Sequence, residues 1–121
     1  MVFKNVERIK KNFPEVIHVL MFYNNGTVFQ TTFEENVNIP KMGENLAEIL
    51  SHLQHVYSLS NFMDLDFKKI ICETDEISSI IIKLGEESNI ALFFKKDVDL
   101  NQKLKSISPY IEKIEELIDM D

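Results

Sequence analysis

Glycine, cysteine and arginine are scarce in this chain of 121 residues, and each shortage removes a class of function. The only glycines are Gly26, Gly43 and Gly85, far apart, so no glycine-rich loop can wrap a phosphate. Cys72 is the single cysteine; no internal disulfide can form, and a reducing, cytoplasmic setting is expected. No apolar run approaches the roughly 20 residues that a membrane helix needs, so membrane insertion is not expected. The opening stretch "MVFKNVERIKKNF" mixes charged and apolar residues and lacks the apolar core of a signal peptide. The formal net charge is −7, and the basic residues are scattered: Arg8, the only arginine, with Lys10 and Lys11, then pairs such as Lys68/Lys69 and Lys95/Lys96. Nucleic acid, whose binding rests on clustered cations, is therefore not an expected partner.

What is present is an ordinary globular composition, 45% hydrophobic and 27% charged. The length predicts one domain spanning 1–121, large enough to bury a core without staples. Phe3, Val6, Ile9 and Phe13 recur at helical spacing up to Pro14. "VIHVLMFY" (16–23) is apolar at odd and even positions alike, as in a strand covered on both faces. Asn25-Gly26 marks a hairpin, with both central residues expected at positive φ, and "VFQTTF" (28–33) returns.

A polar loop holding Pro40 and Gly43 is expected to lead into a helix over "ENLAEILSHLQHVYSLSNFMD". Its buried face would carry Leu46, Ile49, Leu50, Leu53, Val56 and Tyr57. Beside it runs a second stripe, His52, His55, Leu59 and Met63, which a monomer would normally keep polar. Its mixed apolar and histidine character points to a partner. "KKIICET", "ISSIIIKL" and "NIALFF" then form a three-strand meander joined by tight acidic turns. The first of these keeps Lys68, Lys69 and Glu73 and reads as an edge strand protected by lysine. The final segment places Leu104, Ile107, Ile111, Ile114 and Ile118 at helical spacing, with Pro109 expected to kink or split it. Central strands greasy on both sides need cover on both sides. The fold class is therefore α/β: a three-layer α/β/α sandwich around a five-stranded antiparallel sheet. Its order is helix-strand-strand-helix-strand-strand-strand-helix, with the terminal helices sharing one face.

No catalytic constellation emerges, so no enzyme and no cofactor is expected. His52 and His55 stand at i, i+3, but two ligands do not make a metal site and nothing nearby completes the set. Asp97, Asp99 and Asn101 resemble the start of a calcium loop, yet Gln102 stands where glycine is required and Ser108 where a glutamate belongs. A helix cap explains them better. Asp64 and Asp66 read as solvated acids. Neither Cys72 nor the serines at 51, 58, 60, 78 and 79 sit in a nucleophile context.

The element order, the opening hairpin "IHVLMFYNNGTVFQTTF" and above all "KKIICETDEISSIIIKLGEESNIALFFKKDVDLNQKLKSI" resemble the roadblock family. That family takes in the dynein roadblock light chains, the bacterial polarity protein MglB and the Ragulator scaffold subunits. Nearly the whole chain is covered. A C-terminal helix split at Pro109 would resemble the related longin domains instead, but the helical segment at the start favours roadblock. The resemblance implies a dimer, with itself or with a related roadblock subunit, in which edge strands pair and middle helices pack together. It places Ile70, Ile71, Cys72 and Glu73 on the strand seam and His52, His55, Val56, Leu59 and Met63 on the helix seam. It further implies a non-catalytic scaffold that binds a small Ras-like GTPase of the MglA or Rag type. Two other readings stay open: a profilin- or PAS-like sensor with a ligand cavity lined by Phe22, Phe29, Phe93 or Phe94, and a longin-type trafficking adaptor.

Overall fold

The structure is a computed structural model that describes residues 5–62, 66–96 and 99–119, with side chains through residue 116. Phe3, Met63, Asp64 and Asp97, used in the sequence reading, lie outside the described residues, as does the side chain of Ile118. The order is α1 (Asn5–Asn12), β1 (Val16–Tyr23), β2 (Val28–Thr31), α2 (Ile39–Leu59), β3 (Lys69–Glu73), β4 (Ile77–Lys83), β5 (Ser88–Lys95) and α3 (Leu100–Asp119). The five strands form one antiparallel sheet in the order β2-β1-β5-β4-β3. The strands read as greasy on both faces, β1, β4 and β5, are the three interior ones, and β3 is an edge, as expected.

Alternation along the strands divides the core into two layers. Val19, Met21, Ile80, Ile90, Leu92 and Phe94 face α1 and α3, which contribute Val6, Ile9, Leu104, Ile107, Ile111 and Ile114. Leu20, Phe22, Ile81 and Ala91 face the other way, against Leu50 of α2. The terminal helices thus share one face and the middle helix takes the other. Asp99 caps α3, its Oδ1 accepting from the Gln102 N–H at 3.3 Å. Lys103 of that first turn pairs with Glu15 at 2.9 Å, and this contact is the main cause holding the Glu15 carboxyl below its ordinary range.

Four expectations are corrected. Pro109 does not split α3, which runs unbroken from Leu100 to Asp119. Lys105, whose carbonyl lacks the N–H that proline cannot supply, is exposed, as is Pro109, so water can serve that carbonyl. Pro40 and Gly43 lie inside α2, not in a loop. Proline is tolerated in a first turn, where its N–H has no intrahelical partner to lose, and Asn38 caps that turn through Oδ1 on the Lys41 N–H at 3.1 Å. Ile49, Val56 and Tyr57, expected to be buried, are 50%, 52% and 38% exposed. In the hairpin only Gly26 adopts a positive φ (95°), while Asn25 instead accepts the Thr27 N–H through its side chain.

Candidate interaction surface: the β3 edge and the open flank of helix α2

Helix α2 crosses the sheet from the β2 side to the β3 side. At its start Gly43 meets the hairpin so closely that a Cβ there would lie 2.2 Å from the Gly26 carbonyl oxygen and 2.6 Å from Val28 Cγ2. In its middle Leu50 enters the core beside Leu20, Phe22 and Ile81. Toward its end Leu53 and Tyr57 come alongside Ile70 of β3. The helix closes with the N–H of Phe62 on the Tyr57 carbonyl (2.9 Å) and that of Asn61 on Ser58 (3.1 Å), Asn61 taking φ 67°. These are the paired bonds of a Schellman motif. Phe62 packs edge-on against Tyr57, the hydrophobic contact that accompanies such a motif, and remains 56% exposed.

At 100° per residue, Gly43, Leu46, Leu50, Leu53 and Tyr57 point toward the sheet. Gln54 lies on one flank, where its amide reaches Asp66 Oδ1 at 3.4 Å. On the other flank Ile49, His52, Val56 and Leu59 follow one another at steps of three, four and three residues, all exposed, Leu59 by 71%. His55 is exposed farther round the helix. A coiled-coil seam has this spacing, and nothing within the described residues covers it.

The second element is the edge strand. Ile70 faces the α2 layer and is half-buried; Ile71 faces the α1/α3 side and is 41% exposed; Cys72 and Glu73 are exposed. The cross-strand bonds show where the backbone points. Lys83 N–H bonds Lys68 O (3.2 Å) and Thr74 N–H bonds Ile77 O (3.0 Å), so in the register Ile70↔Ile81 and Cys72↔Ser79 the even-numbered residues bond β4. The N–H and C=O groups of Lys69, Ile71 and Glu73 therefore point out of the sheet. Between edge and helix runs a groove of about 580 Å³ lined by Leu53, Tyr57, Phe62, Phe67 and Ile70, with Lys68 and Lys69 at its rim. Asp66 at the same rim is already engaged by Lys83 at 3.4 Å.

Of the residues singled out in the sequence, the structure places Ile70 beside the C-terminal half of α2, leaves Ile71, Cys72 and Glu73 exposed along the β3 edge, and leaves His52, Val56 and Leu59 exposed on α2. Sequence reasoning missed Ile49 and Phe62. The first was absorbed into the buried face, and the second is displayed by a cap whose only local signal is Asn61. His52 and His55 gather no third ligand, and no group of three or more His, Cys, Asp or Glu able to hold a metal occurs among the described residues. Phe22 and Phe94 are fully buried in the two separate layers, Phe29 stacks on Tyr23 and Phe93 meets Phe33 edge-on. No helix among the described residues is long and apolar enough to cross a membrane.

No family model matches the sequence, and no curated protein matches it either. Solved structures do. Myxococcus xanthus MglB superposes with a TM-score of 0.85 at 12% identity, over 99% of this chain and 96% of that one. A Roadblock/LC7 domain from Streptomyces avermitilis gives 0.79 at 9% identity, over 96% of each chain. The fold is the roadblock fold. Profilin II from Acanthamoeba castellanii follows at a TM-score of 0.64 and 12% identity, covering 98% and 96%. At such identities the likeness is one of fold, with MglB nearer in shape than profilin is.

Proposed function

We propose that this protein is a non-catalytic, cytoplasmic scaffold that dimerises through β3 and α2 and binds a small Ras-like GTPase of the MglA or Rag type. The observation that carries the reading is the presence of two uncovered features on neighbouring elements of a roadblock fold. They are a strand edge with its backbone groups turned outward and a helix flank bearing Ile49, His52, Val56 and Leu59. Either alone is common; adjoining, they leave polar backbone and apolar side chains that a second subunit would satisfy together. In the dimer, Ile70, Ile71, Cys72 and Glu73 form the strand seam and His52, Val56 and Leu59 the helix seam, with His55 at its margin. The low identity to MglB leaves the choice of GTPase to the surface residues of this chain. Regulation would proceed by holding the GTPase or its switch regions without an arginine finger, since Arg8 is the only arginine and sits exposed on α1. An overall charge of −7 would speed encounter with a basic partner surface more than it would tighten the complex.

Light scattering after size exclusion tests the dimer. The wild type is expected at twice the mass of one chain, and Ile71→Lys combined with Leu59→Lys at the mass of one. A monomeric wild type would overturn the reading. With the dimer in hand, titration against Ras-like GTPases from the same genome, loaded with GDP or a non-hydrolysable GTP analogue, is expected to give nucleotide-dependent binding to at least one.

A further inference from the structure

Strand β3 reads Lys69-Ile70-Ile71-Cys72-Glu73, and its charges are arranged antisymmetrically about Ile71, with a cation two residues before it and an acid two residues after. The three odd-numbered residues share a face: Ile71 is opposite Ile80, which belongs to the α1/α3 layer, while Ile70 is opposite Ile81 of the α2 layer. They are also the residues whose backbone groups point outward. The cross-strand neighbours of Lys69 and Glu73 within the chain are Ile82 and Ser78, both uncharged, and neither Lys69 nor Glu73 makes an ion pair among the described residues.

Consider a second copy related by a two-fold axis perpendicular to the sheet. Like faces must stay together, so the axis can pass through Ile70, Ile71 or Cys72, but not between residues. Through Ile70, Lys69 meets Ile71 of the second copy, and Glu73 falls opposite Phe67, which lies before the strand. Through Cys72, Ile71 meets Glu73, and Lys69 falls opposite Asp75 in the turn. Through Ile71, the whole strand is matched. Lys69 then lies opposite Glu73 of the second copy, twice over, with Ile71 against Ile71 between them. Each of Lys69, Ile71 and Glu73 offers one N–H and one C=O, and only this register bonds all of them.

We infer that the partner at this edge is a second copy of this same chain, paired antiparallel about Ile71, and that Lys69 and Glu73 are the residues that select it over a related subunit. The inference rests on the dimer proposed above and goes beyond it by fixing both partner and register. A strand carrying two like charges at positions 69 and 73 would set one like-charge pair against one opposite pair and so lose the advantage of two matched pairs.

The test uses Lys69→Glu, Glu73→Lys, their equimolar mixture and the wild type, weighed by native mass spectrometry and sedimentation. Each variant alone sets like charges opposite one another twice and is expected to dimerise about tenfold more weakly than wild type. In the mixture every facing pair is again opposite in sign, so the heterodimer is expected to exceed the statistical half of all dimers. A variant that merely failed to fold would not be rescued in this way. As an independent readout, Ile70→Cys should form a disulfide with Cys72 of the second copy on mild oxidation. The two would face each other as a non-hydrogen-bonded pair about 4.5 Å apart at Cα. In the wild type the two Cys72 residues would stand about 8 Å apart and should stay reduced. A wild-type dimer with insensitive variants, a statistical mixture and no Ile70→Cys link overturns the register while leaving the dimer standing. A monomeric wild type overturns both.

Discussion

The two faces of the sheet are built from the same strands but closed to different degrees. Among the described residues, fifteen apolar side chains are buried in one layer on the α1/α3 side, drawn from both helices, from β1, β4 and β5, and from Leu84 just after β4. On the α2 side only five are, and the helix contributes just Leu50 to them. The rest of that layer, including Phe33, Phe67, Ile70 and Phe93, is half-buried, and beyond it lie Ile49, Val56 and Leu59 in the open. A single helix laid across a five-strand sheet cannot cover what two helices cover on the opposite face. The closed face holds the domain together, while the open face retains apolar surface that burial could still stabilise at about 25 cal/mol per Å².

The sharpest way to break this comparison is to truncate one residue on each side. Ile107→Ala, on the fully buried face of α3, is expected to cost about 2–5 kcal/mol in urea unfolding, through lost transfer energy and an unfilled cavity. Leu59→Ala, at 71% exposure, should change the stability of the monomer by no more than about 0.5 kcal/mol, measured where self-association does not contribute, yet weaken dimerisation. If Leu59→Ala cost as much as Ile107→Ala in the monomer, α2 would be part of the same core and the open face would not be an interaction surface.

A smaller effect is expected where the open face is anchored. Gly43→Ala would normally stabilise a helix by about 1 kcal/mol. Here the new methyl would collide with the backbone of Gly26, which cannot swing aside as a side chain can, and with Val28. Net destabilisation of about 1–3 kcal/mol is expected, read as a lower urea midpoint with an unchanged slope. A neutral result would mean that α2 lifts off the hairpin easily and that its position over the sheet is set elsewhere.

The contrast between the faces also explains which features the amino-acid order revealed. Both-sided hydrophobicity in Val16–Tyr23, Ile77–Lys83 and Ser88–Lys95 is a property of interior strands, and the charges of Lys69 and Glu73 belong to an edge; both read directly. The heptad-like spacing on α2 was legible too, but not which arc lies under the sheet. Ile49 and Val56 have the same letters as core residues, and only the way the helix is turned on the sheet, with Leu46 and Leu50 inward, leaves them outside. Pro40 and Pro109 misled for a common reason. Proline is costly where an N–H is needed, and a first turn or a solvent-facing carbonyl removes that need. The outward direction of the Ile71 backbone follows from a register that no single strand encodes.

The smallest expected effect lies at the border of the open face. His18 of β1 stacks on Phe33 with ring centroids 4.1 Å apart, and its Nδ1 lies 3.1 Å from Thr32 Oγ1. Burial pushes its pKa below the ordinary value of 6.5, Lys10 adds to the shift, and Glu34 and the Thr32 backbone oppose it without reversing it. The unfolded chain then takes up the proton first as pH falls. Stability from this group is complete above about pH 6.5 and is lost as pH drops from there through the depressed folded-state value. His18→Phe keeps a ring on Phe33 and cannot titrate, so its unfolding midpoint should be flatter than that of wild type between pH 7 and pH 5.5. A wild-type midpoint equally flat over that range would mean that water reaches the imidazole as freely as it does in the unfolded chain, and that this border of the α2 layer is more open than its stacked rings imply.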